Sequence, residues 1–378
     1  MQLICLTREH IPFVTVNSCT EFLLKHRQQQ RLLRHPPQGR LGARQCFLSR
    51  TGLLLTVGLL LVAGQQVLFS DVKSKEAKPL TTTDVKEHKK SRPLESSPPI
   101  LDEYLGRACS FSDPFSARLT TTDELTTKEG NAIVNALGES PRNHRKQWEF
   151  VAIVRALKAA KMLQPGKRGL VFAAGSEPLI SYFASKGADI LATDMDYSGA
   201  LANGWVTTNQ HATSRDALFL PNIISRKDFD QRVSYATADM NQLNETWFGT
   251  FDFVWTTCSV EHVGSIQKGM KFGRDSMKLL KPNGLAIHTT EFLLSSLDET
   301  VTEGSTVYWR RKDMEELLES LKSDGHRPST SLCLKTGIKD DKDYDVEPFR
   351  SSNHIRLLVG KYVLTSVVWT AWRNAVDK

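Results

Sequence analysis

No CxxC pair and no Cys/His cluster at metal-ligand spacing occurs in the 378 residues, and six cysteines in a chain this long outline no disulfide framework. Cys5, Cys19 and Cys46 lie near the N-terminus, while Cys109, Cys258 and Cys333 are scattered through the rest, so no structural zinc or other metal is expected. No internal repeat is visible. A basic surface on the main body of the chain is missing as well: the formal charge is +7, yet Met1 to Arg50 alone carries eight Lys/Arg against two Asp/Glu. A nucleic-acid partner would need that excess on the folded part, and none is expected.

Charge disappears altogether from Thr51 to Ser70, TGLLLTVGLLLVAGQQVLFS, a run of 20 residues between Arg50 and Asp71. That length suits a transmembrane helix crossing about 30 Å of hydrocarbon. The Lys/Arg excess precedes the run, which places the tail, residues 1–50, in the cytosol and the bulk of the chain beyond the membrane. A single-pass type II protein of the ER or Golgi, with its catalytic domain in the lumen, is the expected location. A secretory signal peptide would begin nearer the N-terminus. The Arg-rich, acid-free stretch HRQQQRLLRHPPQGRLGARQ keeps a mitochondrial membrane as the alternative. Residues 71–99, rich in Lys, Glu, Ser, Thr and Pro, form a solvated stem, and the folded domain spans 100–378.

Within that domain, PRNHRKQWEFVAIVRALKAAKML puts Phe150, Ile153, Val154 and Leu157 on one helical face, and Pro165-Gly166 ends the run. Strands are expected at Gly169–Ala173, at ADILATD, at RVSYATADMN ending on Asp239, at FDFVWTT and at LAIHTTEF after a Pro282-Asn283-Gly284 turn. Helical patterns separate them. Strands alternating with helices imply a doubly wound, mostly parallel α/β sheet covered on both faces. The helix DMEELLESLKSDGH follows, and HIRLLVGKYVLTSVVWTAWR supplies an antiparallel pair at one edge. In such sheets ligands sit beyond the carboxyl ends of the strands, where Asp194 and Asp239 fall.

Glycine is scarce where a dinucleotide fold would need it most. The turn after the first strand reads Ala173, Ala174, Gly175, Ser176, Glu177, Pro178 rather than G-x-G-x-x-G. Glu177 would repel a pyrophosphate and Pro178 removes an amide donor, so NAD and FAD are disfavoured. S-adenosylmethionine bears a sulfonium and an ammonium and no phosphate, and carboxylates near it are compatible. The succession GLVFAAGSEPL, ILATDMD, ATADMN, FDFVWTTCSVEHV and LLKPNGLAIH resembles the class I S-adenosylmethionine-dependent methyltransferases. With HRKQWEF, TTEFLLSSLDETV and KYVLTSVVW the likeness points to a less studied, largely bacterial branch. It implies a Rossmann-like methyltransferase sheet that binds S-adenosyl-L-methionine. By it Gly175 lets the cofactor approach the backbone, Asp194 accepts from both ribose hydroxyls, and Asp239 takes the adenine amino group with Met240 against the ring. Glu177 is assigned to the cofactor's ammonium group, although Ala173 and Glu177 stand where glycines are common in the superfamily.

Methyl transfer is an in-line displacement that needs a base only when the acceptor loses a proton. Glu261 and His262 after the fourth strand, and His288 and Glu291 along the fifth, are the candidates. His262 leads, because imidazole titrates near neutrality. Trp205, Gln210 and His211, between the second and third strands, are expected to line an acceptor pocket, with Trp148 either joining them or packing in the core. The expected activity is methylation of a small molecule or glycan. A tethered, non-catalytic scaffold on a degenerate methyltransferase fold is the alternative.

Overall fold

The protein is described from a computed structural model over residues 99–337, 344–349 and 351–375. The basic tail, the apolar run 51–70 and the stem up to residue 98 lie outside the described residues, as does much of the acidic run from Lys339 to Glu347. Among the described residues no helix is long and apolar enough to cross a membrane.

The strands, in chain order, are β1 (Ala117–Leu119), β2 (Asn143–His144), β3 (Arg168–Val171), β4 (Asp189–Asp194), β5 (Val233–Thr237), β6 (Phe251–Thr256), β7 (Leu280–Leu293), β8 (Arg327–Pro328), β9 (Leu332–Cys333), β10 (Asp345–Val346), β11 (Asn353–His354), β12 (Leu357–Val359) and β13 (Tyr362–Trp372). The helices are α1 (Thr122–Thr126), α2 (Lys128–Ala136), α3 (Arg145–Ala159), α4 (Leu179–Ser185), α5 (Tyr197–Ala202), α6 (Arg226–Arg232), α7 (Ile266–Leu279) and α8 (Arg311–Ser323). Local chemistry sets their ends. Ser265 caps α7 by accepting from the Lys268 amide at 3.1 Å, and Gly187, at φ 97°, stops the chain after α4.

The main sheet runs β10-β12-β13-β7-β6-β3-β4-β5. β5, β4, β3, β6 and β7 are parallel. β13 pairs antiparallel with β7 from Leu364 opposite Leu293 to Trp372 opposite Leu285. From β3 the chain steps outward through β4 and β5, then returns to β6 on the other flank of β3. That reversal opens a crevice at the carboxyl ends of β3 and β6. Apolar layers fill both faces, Phe150, Ile153, Val154, Leu157, Leu179 and Phe183 packing on one and Met270, Phe272, Met277, Met314, Leu317 and Leu321 on the other. The expected helical face from Phe150 to Leu157 is therefore buried as the spacing requires.

Three local expectations change. β5 ends at Thr237, because Asp239 turns to bridge Gln242. β7 runs through Pro282-Asn283-Gly284 as an irregularity, with Asn283 at φ 62° and the register against β6 jumping from Phe251–Leu280 to Phe253–Leu285. The C-terminal hairpin β12–β13 forms the antiparallel margin expected, with only the two-residue β10 added outside β12. Cys109 and Cys333 form a disulfide across 224 residues with Cα atoms 6.0 Å apart. Spacing along the chain carried no sign of it, because the contact arises where the segment before β1, bridged at Gly106 to Gly337, meets the end of β9.

Candidate active site

A cavity of about 640 Å³ opens at the β3/β6 crevice. Ala173, Gly175 and Glu177 from the turn after β3, Asp194 from β4, Asp239 and Met240 after β5, and Thr257, Cys258 and His262 after β6 all line it. Trp205 and Gln210 arrive from the segment between α5 and β5. The sequence candidates Gly175, Glu177, Asp194, Asp239, Met240, Trp205, Gln210 and His262 thus meet in one place.

The backbone here is strained. Among the described residues with positive φ and a side chain, Ala173 (52°), Asn209 (57°) and Cys258 (47°) all line this cavity. Such conformations cost about 1–3 kcal/mol each and persist where surrounding structure overdetermines them. Gly175 shares the geometry at φ 52°, and a Cβ there would lie 2.9 Å from the Gln210 carbonyl oxygen. Its glycine is therefore required by the protein's own loop, in addition to any approach by a ligand.

Asp194 ties that loop to the turn. Its Oδ2 accepts from the Gly175 amide at 2.9 Å and from the Ala212 amide at 3.0 Å, and its Oδ1 accepts from Met195 at 2.9 Å. A carboxylate offers about four lone-pair sites, so roughly one remains for a ligand and two ribose hydroxyls cannot both be served in full. Ala212 is held a second time by the Tyr235 hydroxyl, which donates to its carbonyl at 2.6 Å. Burial and the Asp194 charge push that phenol up to about 12.

Beyond the turn lie a carboxyl and an ammonium group that both hydrogen-bond to Thr257. Glu177 accepts from the Thr257 hydroxyl at 2.7 Å. Burial, against the opposing pull of Lys146, pushes its carboxyl up to about 8. Lys146, on the first turn of α3, sits 3.1 Å from Glu149 Oε2 and donates to the Thr257 carbonyl at 3.2 Å. Burial is the largest influence and opposes its charge, but the acidic neighbours led by Glu149 together outweigh it and keep the ammonium protonated. Lys146 was not singled out from the sequence. The available signal was its i,i+3 spacing to Glu149 within HRKQWEF.

Glu149 itself is fully buried beneath the cavity, where it accepts from the Cys258 thiol at 3.0 Å, from Thr289 at 3.3 Å and from the Ser366 hydroxyl. Burial and the Glu149 charge raise the Cys258 thiol, so it is a neutral donor rather than a nucleophile.

Other candidates fall outside the cavity. His211 donates through Nε2 to the Met195 carbonyl at 2.8 Å and is buried. His288 and Glu291 point to opposite faces of β7, as strand alternation demands. His288 lies between Thr256 and Ser276 and against Trp369, where burial drives its pKa down to about 3. Glu291 accepts from the buried Arg145 at 2.7 Å. Trp148 is a core residue whose indole donates to Glu124 at 2.8 Å. Glu261 is buried behind His262, with Oε2 accepting from Thr290 at 3.0 Å and Oε1 4.0 Å from His262 Nε2. Burial raises its carboxyl. His262 Nδ1 lies 2.9 Å from the Ser305 carbonyl, which can only accept, so Nδ1 carries the proton and Nε2 the basic lone pair. Its ring meets Trp205 edge to face at 4.8 Å.

No family model and no curated protein matches the chain. Solved structures similar to it include a 1,6-didemethyltoxoflavin-N1-methyltransferase from Burkholderia thailandensis bound to its namesake and S-adenosylhomocysteine, at 15% identity and TM-score 0.33, covering 58% of this chain and 77% of that one. An S-adenosylmethionine-dependent methyltransferase from Mesorhizobium loti is 12% identical at TM-score 0.35, over 60% and 98%. The CurJ carbon methyltransferase is 12% identical at TM-score 0.36, over 61% of this chain, and the match spans about half of that structure, 54%.

Proposed function

We propose that the chain is an S-adenosylmethionine-dependent methyltransferase anchored by residues 51–70, with its catalytic domain in the ER or Golgi lumen and a small molecule or glycan as acceptor. The observation that carries the cofactor reading is that Glu177 and Lys146 both line the cavity with the strained turn at Gly175, each bonded to Thr257. An α-amino acid presents an ammonium and a carboxylate together, and these two side chains offer one partner for each. Asp194 and Asp239 then line the part of the cavity where the adenosine would lie. A pyrophosphate would meet Glu177 instead of a nest of amides. The bound cofactor supplies a methyl group on sulfur; the protein's residues hold it in line with the acceptor and exclude water. The Cys109–Cys333 disulfide supports an oxidising compartment.

Calorimetry on the full chain tests the cofactor. Glu177 must lose its proton to pair with an ammonium, so at pH 7 binding is expected to release roughly 0.9 proton from a group at about 8. Affinity then falls as pH drops further below 8. Glu177→Gln should abolish the release and weaken binding about tenfold or more. Binding with no proton release, and equal affinity in the variant, would remove Glu177 from this role; no binding at all would leave the scaffold reading.

Orientation has its own test. Asn244 is exposed, in the only N-glycosylation sequon of the chain. A lumenal domain is expected to gain one glycan there and to resist protease in sealed microsomes. Digestion of residues 100–378 in intact vesicles would sink the lumenal assignment.

A further inference from the structure

The half of the cavity that Glu177, Lys146, Asp194 and Asp239 leave over has a distinct chemistry. It is walled by Asn203, Trp205, Thr207, Thr208, Ser259 and His262. Part of their hydrogen-bonding capacity is committed to the protein itself. Thr207 and Thr208 both donate to the Gly204 carbonyl, at 2.9 and 2.8 Å, and the Asn203 amide donates to Gly199 at 2.8 Å. What such groups have left to offer a ligand is mixed: lone pairs on the Thr207 hydroxyl and the Asn203 carbonyl oxygen and one on Thr208, whose hydroxyl already accepts from Gln210 at 3.0 Å, together with two donors, the second Asn203 amide hydrogen and the buried Ser259 hydroxyl. A ligand that satisfies them must bring donors and acceptors together, as hydroxyl groups do. A phosphate or carboxylate brings only acceptors and a charge, and Lys146, the only Lys or Arg on the cavity wall among the described residues, is assigned above to the cofactor's carboxylate.

A cation is disfavoured on separate grounds. Asp196, the carboxylate nearest Asn203 in sequence, is turned to its own helix, where it caps α5 by accepting from the Gly199 amide at 2.9 Å and from the Ser198 hydroxyl. Glu261 lies behind His262, and burial favours its neutral form. Trp205 remains partly exposed and lines the cavity beside His262. It offers a flat apolar face next to these polar groups, which suits a ring with C–H groups on one side and hydroxyls around its rim.

We propose that the acceptor is an uncharged polyhydroxyl ring, a sugar laid against Trp205 and methylated on a hydroxyl oxygen. The inference rests on the cofactor reading above. In the transfer the oxygen–carbon bond forms as the sulfur–carbon bond breaks, sulfur keeps the electron pair, and the hydroxyl proton passes to His262 Nε2. Charge balances, since a sulfonium and a neutral imidazole become a thioether and an imidazolium.

The test uses the full chain in lipid nanodiscs with methyl-labelled cofactor and four sets of probes: methyl glycosides of glucose, galactose and mannose, their 6-phosphates, the matching hexuronates, and glucosamine. Label should enter the neutral glycosides at least tenfold faster than any charged probe. Trp205→Ala should lower that rate tenfold or more at unchanged cofactor affinity, and Trp205→Phe should recover part of it. Preference for a charged probe, label in none of the neutral glycosides, or indifference to Trp205→Ala would each overturn the proposal. Cofactor binding is measured separately by equilibrium dialysis, so its failure is seen as such. In that event dialysis of the labelled glycosides still decides the sugar site, and absence of Trp205-dependent binding overturns it.

Discussion

Asp194→Ala is expected to lower S-adenosylmethionine affinity by at least about tenfold, or ~1.4 kcal/mol, and to lower the melting temperature in the same variant. Both effects come from one carboxylate. Its oxygens accept the Gly175, Ala212 and Met195 amides, and hydrogen bonds to a charged group are worth about 1.5–3 kcal/mol. Without them the turn after β3 and the segment ending at Ala212 lose their common anchor, and one remaining lone pair for a ribose hydroxyl goes too. Thermal unfolding should register the structural share, at roughly 2–4 °C per kcal/mol for domains of 150–250 residues. Equilibrium dialysis registers the ligand's share. If the variant binds the cofactor as tightly as the parent, Asp194 is a structural clasp alone and the assignment of the turn from Gly169 to Asp196 as a cofactor site fails.

The same residue shows what a sequence can and cannot say. Asp194 was legible because a carboxylate ends a β-rich run inside a strand–helix–strand pattern, and that period is a local property. Its partners were not legible, since Ala212 is reached only after an intervening segment folds back. Gly175 repeats the lesson: its presence was visible, but the atom that forbids a side chain is the Gln210 carbonyl oxygen. His288 and Glu291 looked equivalent along one strand. Alternation sends them to opposite faces, and the helices above those faces decide that neither reaches the cavity. The Cys109–Cys333 pairing was out of reach for the same reason, because 224 residues separate partners that only the folded chain brings together.

The polar network below the cavity connects fold to function. Glu149 receives Cys258, Ser366 and Thr289 while facing Lys146 and Arg145. Burial alone would raise its pKa, but the two cations win and hold it ionised. A charge buried at this depth is tolerable only with such partners. In return it fixes Cys258 in its left-handed conformation and Lys146 at the cavity wall, so α3, β6, β7 and β13 together set the position of one ammonium group.

For the chemical step, His262→Ala is expected to slow methyl transfer by roughly 10² to 10⁴ while leaving cofactor affinity nearly intact. That range corresponds to about 2.7–5.4 kcal/mol of barrier. The separation of effects follows from where the ring sits: it packs on Trp205 at 4.8 Å, in the half of the cavity assigned to the acceptor. Its tautomer is set by the Ser305 carbonyl, which leaves Nε2 to take the proton. Glu261 Oε1, 4.0 Å from Nε2, then lies beside the imidazolium that forms. Single-turnover rates with saturating cofactor isolate this step, and the melting temperature checks that the variant folds. Added imidazole should restore part of the rate in His262→Ala, a response that a merely structural role would not give. Loss of cofactor binding in a normally folded variant would move His262 to the cofactor's side, and an unchanged single-turnover rate would mean that the acceptor gives up its proton without it.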